Sequence, residues 1–260
     1  MDAKQLRGYL EFYRDLGFTT LYKRAPGNAH GPQESTEPRP SATGSAVAQS
    51  AVLPGILAGP DVMLPSLAPE NDTLERIRED IGDCKRCRLH TGRQKIVFGT
   101  GDPEAKLVFV GEGPGADEDT QGVPFVGRAG QLLTQMIENT ASREGIPLVR
   151  KDVYICNVVK CRPPENRTPE PDEMEICGQF LFRQLMVIRP KAICVLGSTA
   201  VRALLGRKEG VTRMRGNWYK WRDIPVMVTY HPSYLLRPYN QNAKREAWED
   251  MKKVLHFVYD

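Results

Sequence analysis

Lys106 to Leu133 reads KLVFVGEGPGADEDTQGVPFVGRAGQLL, and this stretch decides the fold. Leu107 to Val110 is an apolar, partly β-branched run that predicts a buried strand. Gly111-Glu112-Gly113-Pro114-Gly115 follows, and neither a strand nor a helix continues through such a run. The chain therefore turns at the strand's carboxyl end, which in an open α/β sheet is where ligands bind. Gly111, Gly113 and Gly115 let backbone N–H groups approach a ligand closely. Asp117, Glu118 and Asp119 come next, then Phe125 in a short loop, then an amphipathic helix marked by Leu132, Leu133, Met136 and Ile137. The glycines do not form a dinucleotide fingerprint running into a helix, and no Gly-Lys-Ser/Thr follows them, so no nucleotide cofactor is expected. The same residues also fit a plain strand-to-helix connection with solubilising charges.

Three further runs resemble the first. Val153–Val159 is apolar and β-branched, with Asn157 its one strongly polar side chain. Ala192–Leu196 ends at Gly197-Ser198, and Ile224–Tyr230 ends at His231-Pro232-Ser233. Helical patterns at 174–188 and about 199–205 separate them. Near-continuous apolar strands alternating with helices predict an α/β fold. The expected form is a three-layer α/β/α sandwich around a central, mainly parallel four-stranded sheet. Glu112, Asn157 and His231 then meet at one sheet edge. Taken singly, Phe125 is an ordinary core residue and His231 a satisfied strand-end histidine. A buried asparagine is different: left without partners it costs ~1–3 kcal/mol, so Asn157 either ties down a loop or faces a ligand.

The chain has 260 residues, 40% hydrophobic and 26% charged, as expected of a soluble protein. It lacks an apolar run near membrane-spanning length, and its opening residues carry acids where a signal peptide is apolar. A cytoplasmic location is expected, with no membrane partner. Leu6, Tyr9, Leu10, Tyr13 and Leu16 predict a short helix within residues 1–24, and the Pro/Gly/Ala/Ser-rich stretch 25–70 reads as a flexible linker. The folded domain is expected at 71–260. Charge is uneven: residues 200–253 hold 12 Lys/Arg against 5 Asp/Glu, a net +7, which suits either a polyanion or a solvated face.

Six cysteines in a cytosolic protein point to thiols or metal ligands rather than disulfides. Cys84 and Cys87 form a C-x-x-C, while Cys161 and Cys177 flank PPENRTPEPDE. The wide second pair suits an iron–sulfur cluster better than a zinc ribbon, and a redox C-x-x-C would leave that pair unexplained. Cys156 and Cys194 lie inside apolar strands and read as buried thiols.

GEGPGADEDTQGVPFVGRAGQLL, the Asn157 strand running into KCRPPENRTPEPDE, HPSYLLR and the four cysteines together resemble the family 4 uracil-DNA glycosylases of the iron–sulfur type. The resemblance covers about Ile81 to Val258. It departs at Gly113, where the family more often has alanine, and it lacks the basic, histidine-bearing insertion of relatives that crosslink to DNA. It implies a monofunctional hydrolase that acts on uracil-containing DNA, expected as a monomer associated with the nucleoid in a prokaryote. Glu112, Glu118 and His231 would be catalytic, with Glu118 either active or a scaffold. Gly111, Glu112, Gly113, Phe125, Asn157 and His231 would hold the base. Leu235 and Leu236 would wedge into DNA, with Arg237, Lys244 and Arg245 on phosphates. Cys84, Cys87, Cys161 and Cys177 would carry a structural four-iron (4Fe-4S) cluster. A broader-specificity glycosylase and a non-catalytic cluster-bearing nucleic-acid binder are the other readings.

Overall fold

The computed structural model describes residues 71–238 and 240–260. The expected first helix and the linker lie outside the described residues. The described chain opens with α1 (Leu74–Ile81), whose N-cap Thr73 accepts a hydrogen bond from the Arg76 N–H. It continues through β1 (Thr100–Gly101), β2 (Leu107–Gly111), α2 (Ala116–Gln121), α3 (Arg128–Arg143), β3 (Tyr154–Asn157) and α4 (Pro171–Ile188). Next come β4 (Ala192–Leu196), α5 (Ser198–Leu205), α6 (Val211–Met214), β5 (Trp218–Trp221) and β6 (Ile224–Thr229). The last two helices are α7 (Pro232–Leu235) and α8 (Gln241–Tyr259).

The strands form one six-stranded sheet in the order β1-β3-β2-β4-β6-β5. The four apolar runs are its parallel centre, β3-β2-β4-β6, and helices cover both faces. The alternation of side chains along each strand splits the core into two layers. Val108, Val110, Cys156, Val195 and Val228 face one way, toward α1, α4 and α5. Leu107, Phe109, Ile155, Leu196 and Met227 face the other, toward α3 and α8.

The α/β class and three layers hold, while the expected four strands become six. β1 and β5 are antiparallel edge strands that cap the parallel set. β1 is two residues long and ends in glycine, too short for any period. β5, Trp218-Tyr-Lys-Trp221, alternates between exposed and half-buried positions, so it carries no buried run to notice.

Sheet order positions the site. The connection out of β2 runs to one side, to β3, and the chain then crosses back to β4 on the other side. A crevice forms at the carboxyl ends of neighbouring strands where such connections diverge. In register, Gly111 pairs with Asn157 and Leu196 with Thr229, so the four strands end nearly level. The ladder runs on one step, since Val158 N–H donates to Gly111 O (2.9 Å) and Val159 N–H to Glu112 O (3.1 Å). The loop bearing Glu112 is thereby fixed to the chain just past Asn157.

Candidate active site

A cleft of about 660 Å³ opens at this edge, of a size that suits a small organic ligand. Glu112, Glu118, Phe125, Asn157 and His231 all line it, as do Gly113 and Gly115. Gly111 lies directly beneath. A Cβ there would stand 2.5 Å from both Asn157 Oδ1 and Phe125 Cζ, so only glycine lets these two side chains meet over the strand end. Gly113 is also crowded: a Cβ would fall 2.7 Å from Val159 Cγ2, so an alanine here would require the valine to move.

Asn157 is 1% exposed, and its Oδ1 is buried without a hydrogen-bond partner among the described residues. An orphaned buried carbonyl oxygen costs ~1–3 kcal/mol, and its position in the cleft makes it a waiting acceptor. Phe125 sits at φ 54°, uncommon for a bulky residue, so the loop is held there by its surroundings. Two devices hold it. Gly130 at the start of α3 has no Cβ, and one would lie 1.9 Å from the Phe125 carbonyl. Arg150 grips the loop through its hydrogen bonds to Pro124 O (2.8 Å) and Thr134 Oγ1 (2.8 Å).

The two carboxylates are held differently. Glu118 has both oxygens occupied by backbone: Oε1 accepts from Val126 and Gly127 N–H (2.9 Å each), and Oε2 from Gly115 N–H (3.1 Å). It ties the glycine turn to the Phe125 loop. Glu112 accepts a hydrogen bond from the Thr199 hydroxyl on Oε2, and its other oxygen makes none among the described residues. That leaves one carboxylate oxygen of Glu112 available in the cleft.

His231 caps α7. Its Nδ1 accepts from the Ser233 N–H (3.2 Å) and lies 2.8 Å from Ser233 Oγ. With Nδ1 an acceptor, the neutral ring carries its proton on Nε2. Burial pushes the imidazole down to about 4, against a smaller upward pull from Glu118, so the ring is neutral near pH 7. Its centroid is 5.6 Å from that of Phe125, with the planes tilted by 35°. The cleft therefore gathers a stacking ring, an unpaired amide oxygen, a neutral N–H donor and a carboxylate.

Comparison with known proteins gives the family. Residues 98–252 match the family model described as the uracil DNA glycosylase superfamily. The chain belongs to that superfamily. It is 45% identical to a type-4 uracil-DNA glycosylase of Thermotoga maritima over 189 residues, 72% of this chain and 95% of that one. The type-4 uracil-DNA glycosylase of Sulfurisphaera tokodaii is 44% identical over 191 residues, 70% and 84% of the two chains. That of Archaeoglobus fulgidus is 41% identical over 191 residues, 70% and 92%.

Away from the cleft, this superfamily member brings Cys84, Cys87, Cys161 and Cys177 to one cavity walled by Ile81, Ile96, Ile176 and Phe180. Among the described residues no group of three or more His, Cys, Asp or Glu could hold a single metal ion. The four thiols line that one cavity, where their chemistry would suit an iron–sulfur cluster. The donor set also fits: it is all sulfur, in an apolar wall, with N–H donors on two sulfurs. Lys160 N–H donates to Cys177 Sγ (3.2 Å) and Arg93 to Cys161 Sγ (3.5 Å). As free thiols Cys161 and Cys177 are pushed up to about 11 and about 12, chiefly by burial. Bound iron would reverse that balance and hold them as thiolates.

Several residues were not singled out from sequence. Lys160, 1% exposed, joins the two sites: its Nζ donates to Asn157 O (2.8 Å) and Gln184 Oε1 (2.7 Å), while its backbone reaches Cys177. A lysine inside NVVKC, flanked by apolar residues, was its signal. Thr199, which holds Glu112, had only its position after a strand-ending glycine. Asn166 and Arg167, from the loop between the second cysteine pair, line the cleft as well.

Two of the residues expected to face DNA, Leu235 and Lys244, are buried. Leu235 is 1% exposed and packs in the core layer with α3 and α8, because α7 turns it inward. It does not project as a wedge. Leu236 is half-buried and Arg237 exposed. Lys244 is 2% exposed and so is not presented to phosphates, whereas Arg245 is exposed.

Proposed function

We propose that this protein removes uracil from DNA by hydrolysing the N-glycosidic bond, the first step of base excision repair of deaminated cytosine. The observation that carries the reading is the buried, unpartnered Asn157 Oδ1 beside Phe125 and the neutral His231 ring. In DNA glycosylases the target nucleotide is extruded from the stack and its base is gripped in a pocket. Phe125 stacks on the flipped uracil. Asn157 Oδ1 accepts from uracil N3–H and its amide N–H donates to O4, which satisfies the orphaned oxygen. As the C1′–N1 bond breaks, its electron pair moves into the uracil ring, and the His231 Nε2–H donates to O2 where that charge collects. Glu112, with one oxygen fixed by Thr199, orients water toward C1′, offsets positive charge on the sugar and takes the water's proton. Glu118 acts as a positioning residue, holding the glycine turn and the Phe125 loop together.

Cys84, Cys87, Cys161 and Cys177 hold a 4Fe-4S cluster in this reading. When bound, the cluster supplies a cross-link between the segment after α1 and the loop after β3. Residues 71–260 carry the activity, and residues 1–24 and 25–70 lie outside it. The protein works as a monomer in the cytoplasm, on uracil-containing DNA at the nucleoid.

The test is a base panel: matched oligonucleotides carrying uracil, hypoxanthine, thymine or cytosine at one position, incubated with the full chain and with residues 69–260. Release of free uracil alone, by both proteins, is expected. Release of hypoxanthine at a comparable rate would move the reading to a broader deaminated-base glycosylase. No release of any base would leave a nucleic-acid binder.

A further inference from the structure

With Leu235 turned into the core, the residue that stands out from the α7 turn is its neighbour. Tyr234 lines the cleft and is 37% exposed. It is also well fixed. Its backbone N–H donates to His231 O (2.9 Å), and its carbonyl accepts from Asn240 Nδ2 (2.8 Å). One face of its ring lies on Tyr230, with centroids 5.1 Å apart and planes 21° from parallel. Tyr230 is itself 6% exposed, and its hydroxyl donates to Glu246 (2.9 Å). The two rings are a pre-formed stack built from the core outward, ending on a partly exposed tyrosine one turn from the catalytic histidine. The exposed guanidinium of Arg237 lies over the Tyr234 ring, 5.9 Å from its centroid and at the outer edge of cation–π contact, so a base that stacks there displaces it.

We propose that Tyr234 is a stacking platform for the nucleobase next to the flipped uracil on the same strand. This rests on the uracil-excision reading above. A tyrosine pinned in this way loses little freedom on binding, and every base has a π-face, so the site is indifferent to sequence. Arg237, beside the ring, takes the phosphate between that nucleotide and the flipped one. The platform thus registers the strand so that the neighbouring uracil reaches Phe125 and Asn157. It also predicts that binding to a single strand is built into the cleft, since the contact needs no opposite strand.

The experiment uses single-stranded oligonucleotides with one uracil, in single-turnover reactions titrated with wild-type protein, Tyr234→Ala and Tyr234→Phe. A second pair of substrates replaces the base on the 5′ or the 3′ side of the uracil with an abasic analogue. Tyr234→Ala is expected to raise the half-saturating concentration by about 5- to 150-fold, the range for one base–aromatic stack, with little change in the saturating rate. Tyr234→Phe, which keeps the ring, is expected to match the wild type. On one of the two abasic-flanked substrates the gap between wild type and Tyr234→Ala should close. A loss of the same size on all three substrates would overturn the proposal, as would no loss on any. A loss seen only in duplex substrates would also overturn it, and would make Tyr234 a helix-opening wedge. Failure of the wild type itself to release uracil would instead sink the excision reading on which it rests.

Discussion

Replacing Gly111 by alanine adds one methyl group and should disable the site without removing any functional group. The added Cβ would stand 2.5 Å from Asn157 Oδ1 and from Phe125 Cζ, and 2.7 Å from Phe125 Cε2. Ordinary contact begins at 3.4 Å, so a gap of about 0.9 Å must open on both sides. The strand cannot supply it, because Gly111 is paired in register with Asn157 and its carbonyl is bonded to Val158 N–H. The Phe125 loop has little give either, with Gly130 against its carbonyl, Arg150 on Pro124 O and Glu118 on the following N–H groups. Both base-contacting side chains therefore move. Overpacking of this kind costs ~1–3 kcal/mol of stability, whereas a 1 Å misplacement at a reacting centre costs about 100-fold in rate. The assay is single-turnover uracil release at saturating enzyme, at a temperature where circular dichroism confirms that Gly111→Ala is folded. A fall of about 100-fold is expected. A folded variant within threefold of wild type would refute the claim that Asn157 and Phe125 are held over the strand end to meet the base.

Other outcomes follow from the cysteine cavity and the histidine. Protein purified without oxygen should contain iron and sulfide and absorb broadly near ~400 nm, and Cys177→Ser should lose both iron and stability; stoichiometric zinc without sulfide would remove the cluster assignment. The His231 imidazole sits at about 4 when folded, below its ordinary 6.5, so the unfolded chain takes up a proton between these values that the folded chain does not. Its contribution to stability is therefore intact above pH 6.5 and is lost as pH falls toward 4. Denaturant unfolding should show wild type losing more stability than His231→Gln across that window; parallel curves would mean that the folded protein does not hold the ring neutral.

The parallel centre of the sheet was legible because burial on both faces writes each strand as an unbroken apolar run, and the ligand edge followed from what ends each run. Gly111, Asn157 and His231 were visible as interruptions of that pattern. The edge strands were not, because β1 is too short and β5 half-exposed to leave one. The long helix α8 does carry a helical period, with Ala247, Met251, Val254 and Val258 recurring along its buried face. The direction of a side chain on a one-turn helix has no periodicity to announce it, and so Leu235 was read as facing DNA when it packs in the core and Tyr234 faces the cleft. Lys160 was hidden for another reason: its three bonds reach Asn157, Gln184 and Cys177, and only the fold brings these together.

Base selection in this cleft turns on what Asn157 reads. Uracil offers an N3–H donor beside an O4 acceptor, whereas cytosine offers an N3 acceptor beside an N4 amine. Asn157→Asp keeps the shape of the side chain and replaces the amide donor with an acceptor. The carboxylate repels uracil O4 and accepts from the cytosine amine. A pocket built on polar pairing can reject a mispaired partner by ~10⁴-fold or more. The measurement is single-turnover release of free base from oligonucleotides carrying uracil or cytosine opposite the same mismatched base, which keeps the cost of flipping low. The account predicts a steep fall on uracil with a weak new activity on cytosine. Wild-type rates on uracil from a folded Asn157→Asp protein would contradict it, because the unpartnered oxygen at the end of β3 would then not be reading the base.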